Sequence, residues 1–222
     1  MIFEDSTGKM KVTRGKVHKF LCTILDYRIK GVCIVTMHDY LKEVLAAWDK
    51  MTSKRNRRET AVPANLFKQR EDCPKLEKQK KDNFHSIVAK MLYASKRARP
   101  DTGTSVAYLT TKVREPDQDD WAKLGHLMSY LRDTMELPLI LGADRSGFIK
   151  WLIDSLYATH ADLWGQTGGG MTLGRGFPFT SSTKQKLNTR SLTESEVVGV
   201  NDLMSMILWS KSFLEAQGYK VN

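Results

Sequence analysis

The chain has 222 residues, 41% of them hydrophobic, enough to bury one sizeable core or two small ones, and it carries a formal net charge of +10. No apolar run approaches the ~20 residues that cross a bilayer, and Met1-Ile-Phe-Glu-Asp5 lacks the basic start and apolar stretch of a signal peptide. Membrane-spanning and secreted classes are set aside, and a soluble intracellular protein, cytoplasmic or nuclear, is expected. Cys22, Cys33 and Cys73 are odd in number and far apart, which points to neither a disulfide framework nor a zinc site.

The charge is unevenly placed. Residues 1–100 hold 23 Lys/Arg against 11 Asp/Glu, whereas residues 101–222 hold 12 against 14. A surplus of that kind favours contact with a polyanion, because each cation that neutralises a phosphate releases counterions; a solvated basic surface is the competing reading.

In chain order, 9–13, 17–25 and 32–36 are rich in β-branched and aromatic residues and are separated by glycine-bearing turns, so a small antiparallel meander is expected. From Asp39 to Met51 the spacing of Tyr40, Leu41, Val44, Leu45 and Trp48 predicts an amphipathic helix packed on it. Residues 52–80, basic and broken by Pro63 and Pro74, read as a connector, either ordered by a nucleic acid or solvated. A helix follows over 79–98, with Phe84, Ile87, Val88, Met91 and Leu92 as its buried stripe. Lys96, Arg97 and Arg99 at its negative end need no more than a dipole explanation. Helices are predicted over 104–113 and 117–134. The second opens on Asp117, Asp119 and Asp120, which read first as capping and dipole residues and only remotely as metal ligands.

The last stretch predicts three short strands, over 148–157, 166–176 and 181–186, then a helix from Ser191. Gly168–Gly170 and Gly174-x-Gly176 do not precede a helix, so they read as hairpin turns rather than a phosphate loop. Asp154 closes the first apolar strand on the face it shares with Lys150 and Leu152. There an unpaired charge is costly, and a cation, a lysine or a backbone amide relieves it. Ser191-Leu-Thr-Glu194 and Thr193-Glu-Ser-Glu196 both fit a capping box. Helical stepping from Glu196 reaches Val200, Leu203, Ile207 and Leu214, whereas stepping from Glu194 reaches Val198, Asn201, Asp202 and Ser205. Glu196 is therefore expected to face the strand bearing Asp154, with Asp202 on the opposite, polar face and Glu194 left to capping. Trp209 and Met204-Ser-Met206 are assigned to the helix core.

Lys16-Val-His-Lys-Phe-Leu21, Ala98-Arg-Pro-Asp101, Ala107-Tyr-Leu-Thr110, Asp120-Trp-Ala-Lys-Leu124, Trp151-Leu-Ile-Asp154, Thr167-Gly-Gly169, Ser182-Thr-Lys-Gln-Lys186 and Thr193-Glu-Ser-Glu196 occur in that order. Together they resemble the C-terminal half of the pol polyprotein of copia-type LTR retrotransposons, over nearly the whole chain. The resemblance implies an α+β chain in three parts. Residues 1–51 correspond to the end of the reverse transcriptase palm, 52–135 to a basic connector and helical thumb/connection-like region, and 136–222 to an RNase H-like βββα unit lacking its later strands.

The family places a primer grip, which holds the growing DNA end, at the motif matching Lys19, Phe20 and Leu21, and usually has a glycine where this chain has Cys22. It places catalytic, metal-binding acids at Asp154 and Glu196. Such sites hydrolyse the RNA of an RNA–DNA hybrid with two Mg²⁺ ions, which need several converging carboxylates. The third family acid belongs to a strand after the helix, where this sequence stops, and no polymerase Tyr-x-Asp-Asp motif is present. Lys184 and Lys186 are placed either to contact the phosphates of a hybrid or to line a solvent-facing edge. Two functions are carried forward: a fragment of a reverse transcriptase/ribonuclease H, inactive alone and binding Mg²⁺ weakly or not at all, or a non-catalytic basic nucleic-acid-binding or structural remnant. Neither calls for a membrane, and the sequence leaves the oligomeric state open.

Overall fold

The computed structural model describes residues 12–52 and 56–221. It is an α+β structure of eight described strands in two antiparallel sheets and five described α-helices. The expected first strand over 9–13 lies mostly outside the described residues, as does the first half of the basic run 53–58.

The predicted strand 17–25 is two strands. β1 (Val17–Phe20) and β2 (Thr23–Asp26) form a hairpin with Phe20 opposite Thr23, so Leu21 and Cys22 make a two-residue loop. Both have positive φ, 49° and 61°, the conformation that lets so short a loop match the twist of its strands. β3 (Val32–Thr36) continues the meander. β4 (Leu139–Ala143) and the short β7 (Gly174–Arg175) then extend it, giving the order β1-β2-β3-β4-β7. A single sheet thus unites the first segment with residues the sequence reading gives to the third.

Four helices form the layer that holds most of the apolar core. α1 (His38–Asp49) buries Leu41, Val44, Leu45 and Trp48, as its periodicity predicts. α2 (Lys78–Ser95) buries Phe84, Ile87, Val88 and Met91, but Leu92 is exposed. α3 (Gly103–Thr110) and α4 (Gln118–Asp133) complete the layer. The capping reading of α4 holds: the Asp117 carboxylate accepts from the Asp120 N–H at 2.9 Å, and that of Asp120 accepts from the Asp117 N–H at 3.2 Å. The described part of the connector is fastened to this layer, with Ala61, Leu66 and Leu76 in the core and the Lys68 carbonyl accepting from Lys123 Nζ at 2.7 Å.

Arg99 is not a surface dipole partner. It is 1% exposed and donates to the Asp101 carboxylate at 2.7 Å and to the Thr134 carbonyl at 3.1 Å, while Tyr130 donates to the same carboxylate at 2.8 Å. The guanidinium fork therefore ties the chain after α2 to the end of α4.

The second sheet has the order β5-β6-β8, from β5 (Lys150–Leu156), β6 (Gln166–Thr172) and β8 (Phe179–Lys184). α5 (Leu192–Ala216) covers one face and α3 lies against β8. Gly168–Gly170 sit within β6 rather than in a turn. A Cβ at Gly169 would collide with a Leu203 methyl, and one at Gly170 would fall 2.7 Å from the Phe177 ring. Close packing, not reversal of the chain, accounts for Gly169 and Gly170, whereas a Cβ at Gly168 would meet only the Asp154 carbonyl at 3.8 Å. Trp209 is 58% exposed and stacks on Phe213, and Met204 is also exposed, so neither belongs to the helix core.

Candidate nucleic-acid interface

The β1–β2 hairpin projects Lys19, Phe20 and Leu21 into solvent, Phe20 being 62% exposed. Two apolar side chains and a cation at a loop tip offer both a stacking surface and a phosphate contact. The tip is held from behind, since Tyr93 on α2 donates its hydroxyl to the Leu21 carbonyl at 2.9 Å. One turn on, the Arg97 guanidinium lies 3.7 Å over the Tyr93 ring, a cation–π contact that fixes an otherwise flexible charge. Exposed Lys96 donates to the Thr180 carbonyl of β8 at 3.3 Å.

Beyond Lys96 runs a groove of about 420 Å³ between the helical layer and the second sheet, with Ser95, Thr104 and Thr110 on one wall and Gly168, Thr180 and Ser182 on the other. Next to it Gln166 bridges Ser182 and His160, at 2.8 and 2.9 Å. Burial lowers the pKa of His160 below its ordinary 6.5, so its ring adds no fixed positive charge near neutrality. The hairpin tip, Tyr93, Arg97, Lys96 and the groove form one path. Sequence reasoning missed its middle part by giving Lys96 and Arg97 to the helix end; the i, i+4 spacing of Tyr93 and Arg97 was the available signal.

Lys184 and Lys186 part company. Lys184 is held by the Asp162 carboxylate and lies 5.5 Å over the Trp164 ring, and the contact draws the carboxylate of Asp162 below its usual range. Lys186 is exposed, two residues on.

Asp154 is exposed on β5, where Lys150, Leu152, Asp154 and Leu156 alternate with half-buried or buried Trp151, Ile153 and Ser155. α5 covers the odd-numbered face: a Cβ on Gly199 would touch Ile153 and Ser155 at 3.6 Å. Asp154 therefore lies on the other face, and its carboxylate bends to accept from the Ser155 N–H at 2.9 Å. Glu196 is half-buried on α5, one turn before Gly199. Asp154 is thus on the face of β5 that α5 leaves open, and Glu196 is on the helix covering the other face.

Glu194 is engaged as a cap, accepting from the Arg190 N–H at 2.7 Å. Asp202 does not lie on the outward face: it accepts from the buried Thr167 hydroxyl of β6 at 3.0 Å, so it points at the sheet. Among the described residues, the group of three potential metal ligands is Cys73, Asp117 and Asp119, and there Arg70 already neutralises Asp119 at 2.5 Å. Two carboxylates fall short of the near-octahedral set of oxygens that Mg²⁺ takes, so this pair alone does not hold the ion.

No family model matches the chain, and no solved structure does. It is 24% identical over 189 residues to the retrovirus-related Pol polyprotein from transposon TNT 1-94 of Nicotiana tabacum, a match covering 83% of this chain and 14% of that one. To the putative transposon Ty5-1 protein of Saccharomyces cerevisiae it is 27% identical over 173 residues, 77% of this chain and 54% of the relative. To the retrovirus-related Pol polyprotein from transposon RE2 of Arabidopsis thaliana it is 27% identical over 140 residues, 63% of this chain and 10% of that one. The chain therefore spans about half of one relative and a small part of the other two. In the described residues no helix is long and apolar enough to cross a membrane. Sequence and comparison agree on the kinship: this chain is a relative of retrotransposon Pol polyproteins.

Proposed function

We propose that the chain is the part of a copia-type Pol polyprotein that runs from the end of the reverse transcriptase palm into the RNase H domain, and that it binds an RNA–DNA hybrid or duplex. The single observation that carries the binding role is the path from the Lys19–Leu21 tip through Tyr93, Arg97 and Lys96 to the groove beside β8. Cations fixed by an aromatic ring and a carbonyl keep their charge while losing little freedom on binding, the property a phosphate-tracking surface needs. Asp154 and Glu196 are proposed as two of the carboxylates that serve hybrid cleavage in the parent protein. The function proposed for the residues described is binding, with Lys186 as an additional phosphate contact.

The test is fluorescence anisotropy with a labelled RNA–DNA hybrid across salt, from roughly 50 to 200 mM, where phosphate-driven affinity falls by orders of magnitude. The double variant Lys96→Ala/Arg97→Ala is expected to weaken binding about tenfold and to lower the log–log salt slope by about one per lost contact. Absent or salt-insensitive binding refutes the reading. With magnesium added, the chain is expected to leave the hybrid intact; turnover abolished by Asp154→Asn would overturn the non-catalytic assignment.

A further inference from the structure

Gln166 is 5% exposed and joins two polar side chains, its amide nitrogen donating to Ser182 Oγ at 2.8 Å and its amide oxygen facing His160 Nε2 at 2.9 Å. An amide oxygen only accepts, so the ring nitrogen opposite it carries the proton. Burial keeps the ring neutral near neutrality, which fixes His160 as the Nε2–H tautomer. The bonds then run one way, from His160 to Gln166 to Ser182.

The head of this relay is held still. His160 is 8% exposed, its ring lies parallel to that of Tyr108 on α3 at 6.3 Å, and Phe67 of the connector meets it edge-on at 5.1 Å. Its main chain is closed into a turn, with the His160 N–H donating to the Trp164 carbonyl at 3.1 Å and the Leu163 N–H to the His160 carbonyl at 2.8 Å. Gln166 is bonded at both ends of its amide, so its nitrogen cannot turn from Ser182 without also releasing His160.

At the other end the Ser182 oxygen accepts from Gln166, which leaves the hydroxyl proton to be given, and among the described residues that proton meets no acceptor. Ser182 lines the groove between the helical layer and the second sheet. Two other hydroxyls of the groove are spent on their own helices, Ser95 on the Leu92 carbonyl at 3.0 Å and Thr110 on the Ala107 carbonyl at 2.6 Å. Opposite Ser182 in the sheet is Gly168, which has no side chain to crowd the hydroxyl. Beyond it in the same row stands Asp154, about 10 Å from Ser182 by strand spacing, with its carboxylate turned to the Ser155 N–H. Two residues back along β8, roughly 7 Å away, Lys96 donates to the Thr180 carbonyl, so one stretch of strand presents both a cation and a directed O–H.

We propose that Ser182 is a phosphate-binding residue of this groove, giving its hydroxyl proton to a backbone phosphate oxygen of the bound nucleic acid, and that Gln166 and His160 are the positioning residues that commit the proton to it. The ligand class follows from the direction of the bonds: a hydroxyl whose oxygen is already occupied takes an acceptor, and the phosphodiester oxygen is a charged acceptor that Lys96 also favours. This role rests on the nucleic-acid reading of the groove and adds to it a contact that is fixed and uncharged.

Fluorescence anisotropy with the labelled RNA–DNA hybrid tells the two kinds of contact apart. Ser182→Ala is expected to weaken binding about tenfold at constant salt, the low end for a hydrogen bond to a charged group, and to leave the log–log salt slope unchanged because no cation is lost. Ser182→Thr retains the hydroxyl and is expected to bind as the wild-type chain does. Gln166→Met, close in shape but unable to donate, is expected to cost about threefold when Ser182 is present and nothing further in the Ser182→Ala background. In the free protein, nitrogen NMR of the histidine rings is expected to place the His160 proton on Nε2, and circular dichroism checks that each variant is folded. Unchanged binding by Ser182→Ala, with Lys96→Ala/Arg97→Ala still weakened, overturns the role of Ser182 and leaves the binding reading standing; a wild-type chain that does not bind the hybrid removes both. A Ser182→Thr variant as weak as Ser182→Ala, additive losses in the double variant, or a His160 proton on Nδ1 also overturns it.

Discussion

Leu21 and Cys22 occupy both central positions of a two-residue hairpin loop at φ of 49° and 61°, where an L side chain crowds its own carbonyl. The resemblance puts a glycine at the second of these, the residue for which that conformation carries no steric cost. Cys22→Gly is therefore expected to stabilise the protein by about 1 kcal/mol in urea denaturation, the difference lying in relief of loop strain. A loss of stability would show that Cys22 makes a contact worth more than the strain. The same scale separates what can be read in one dimension from what cannot. The Asp117–Asp120 capping box is legible because its partners are three residues apart. Arg99 is not, because Thr134 and Tyr130 reach it from more than thirty positions away, and Lys96, a cation in the same run, does face solvent.

Among elements, α2 and α4 follow their hydrophobic period because large side chains mark their buried stripes. α5 does not, and the reason is physical. Its seat on the sheet is made of Ser195, Gly199, Leu203 and Ser210, whose small members let backbone approach backbone, while Val200 and Leu208 are left outside. A wheel that searches for bulk turns this helix too far, which is how Asp202 came to be placed on the outward face and Glu196 at the centre of the inward one. Run 17–25 misleads in the same way, since its apolar residues continue through a loop whose signal is conformational rather than compositional. The glycines of these elements make a paired prediction. Gly199→Ala adds a methyl at ordinary contact distance inside a helix and is expected to stabilise by about 1 kcal/mol. Gly176→Ala drives a methyl into the Ile140 carbonyl at a φ of 70° and is expected to cost at least about 2 kcal/mol. Thermal or urea unfolding of the two variants checks both signs, and a neutral Gly176→Ala would contradict the described pairing of β7 with β4.

At the level of the whole molecule, the apolar core is gathered between Val35 and Leu131, in the helical layer and the sheet beneath it. The unit of β5, β6, β8 and α5 is filled differently: its buried residues include Ser155, Gln166, Thr167, Gln185 and Ser195, and among the described residues Leu203 is its buried aliphatic side chain. Ser155 Oγ and Trp151 Nε1 are buried there without a hydrogen-bond partner, which removes further stabilisation. Amides of α2 and α4 are therefore expected to exchange with deuterium at least about tenfold more slowly than those of β5, β6 and α5 under native conditions. Equal protection in the two regions would mean that the polar-filled unit opens only with the entire protein.

Tyr93 and Lys96 stand three residues apart on α2 and its end, and each donates to a main-chain carbonyl of a different sheet, Leu21 in one and Thr180 in the other. A single helical turn thereby acts as a lever with a sheet fastened at either side. The hairpin tip and β8 are thus fastened to the same turn, and neither can shift far without straining a bond at that turn.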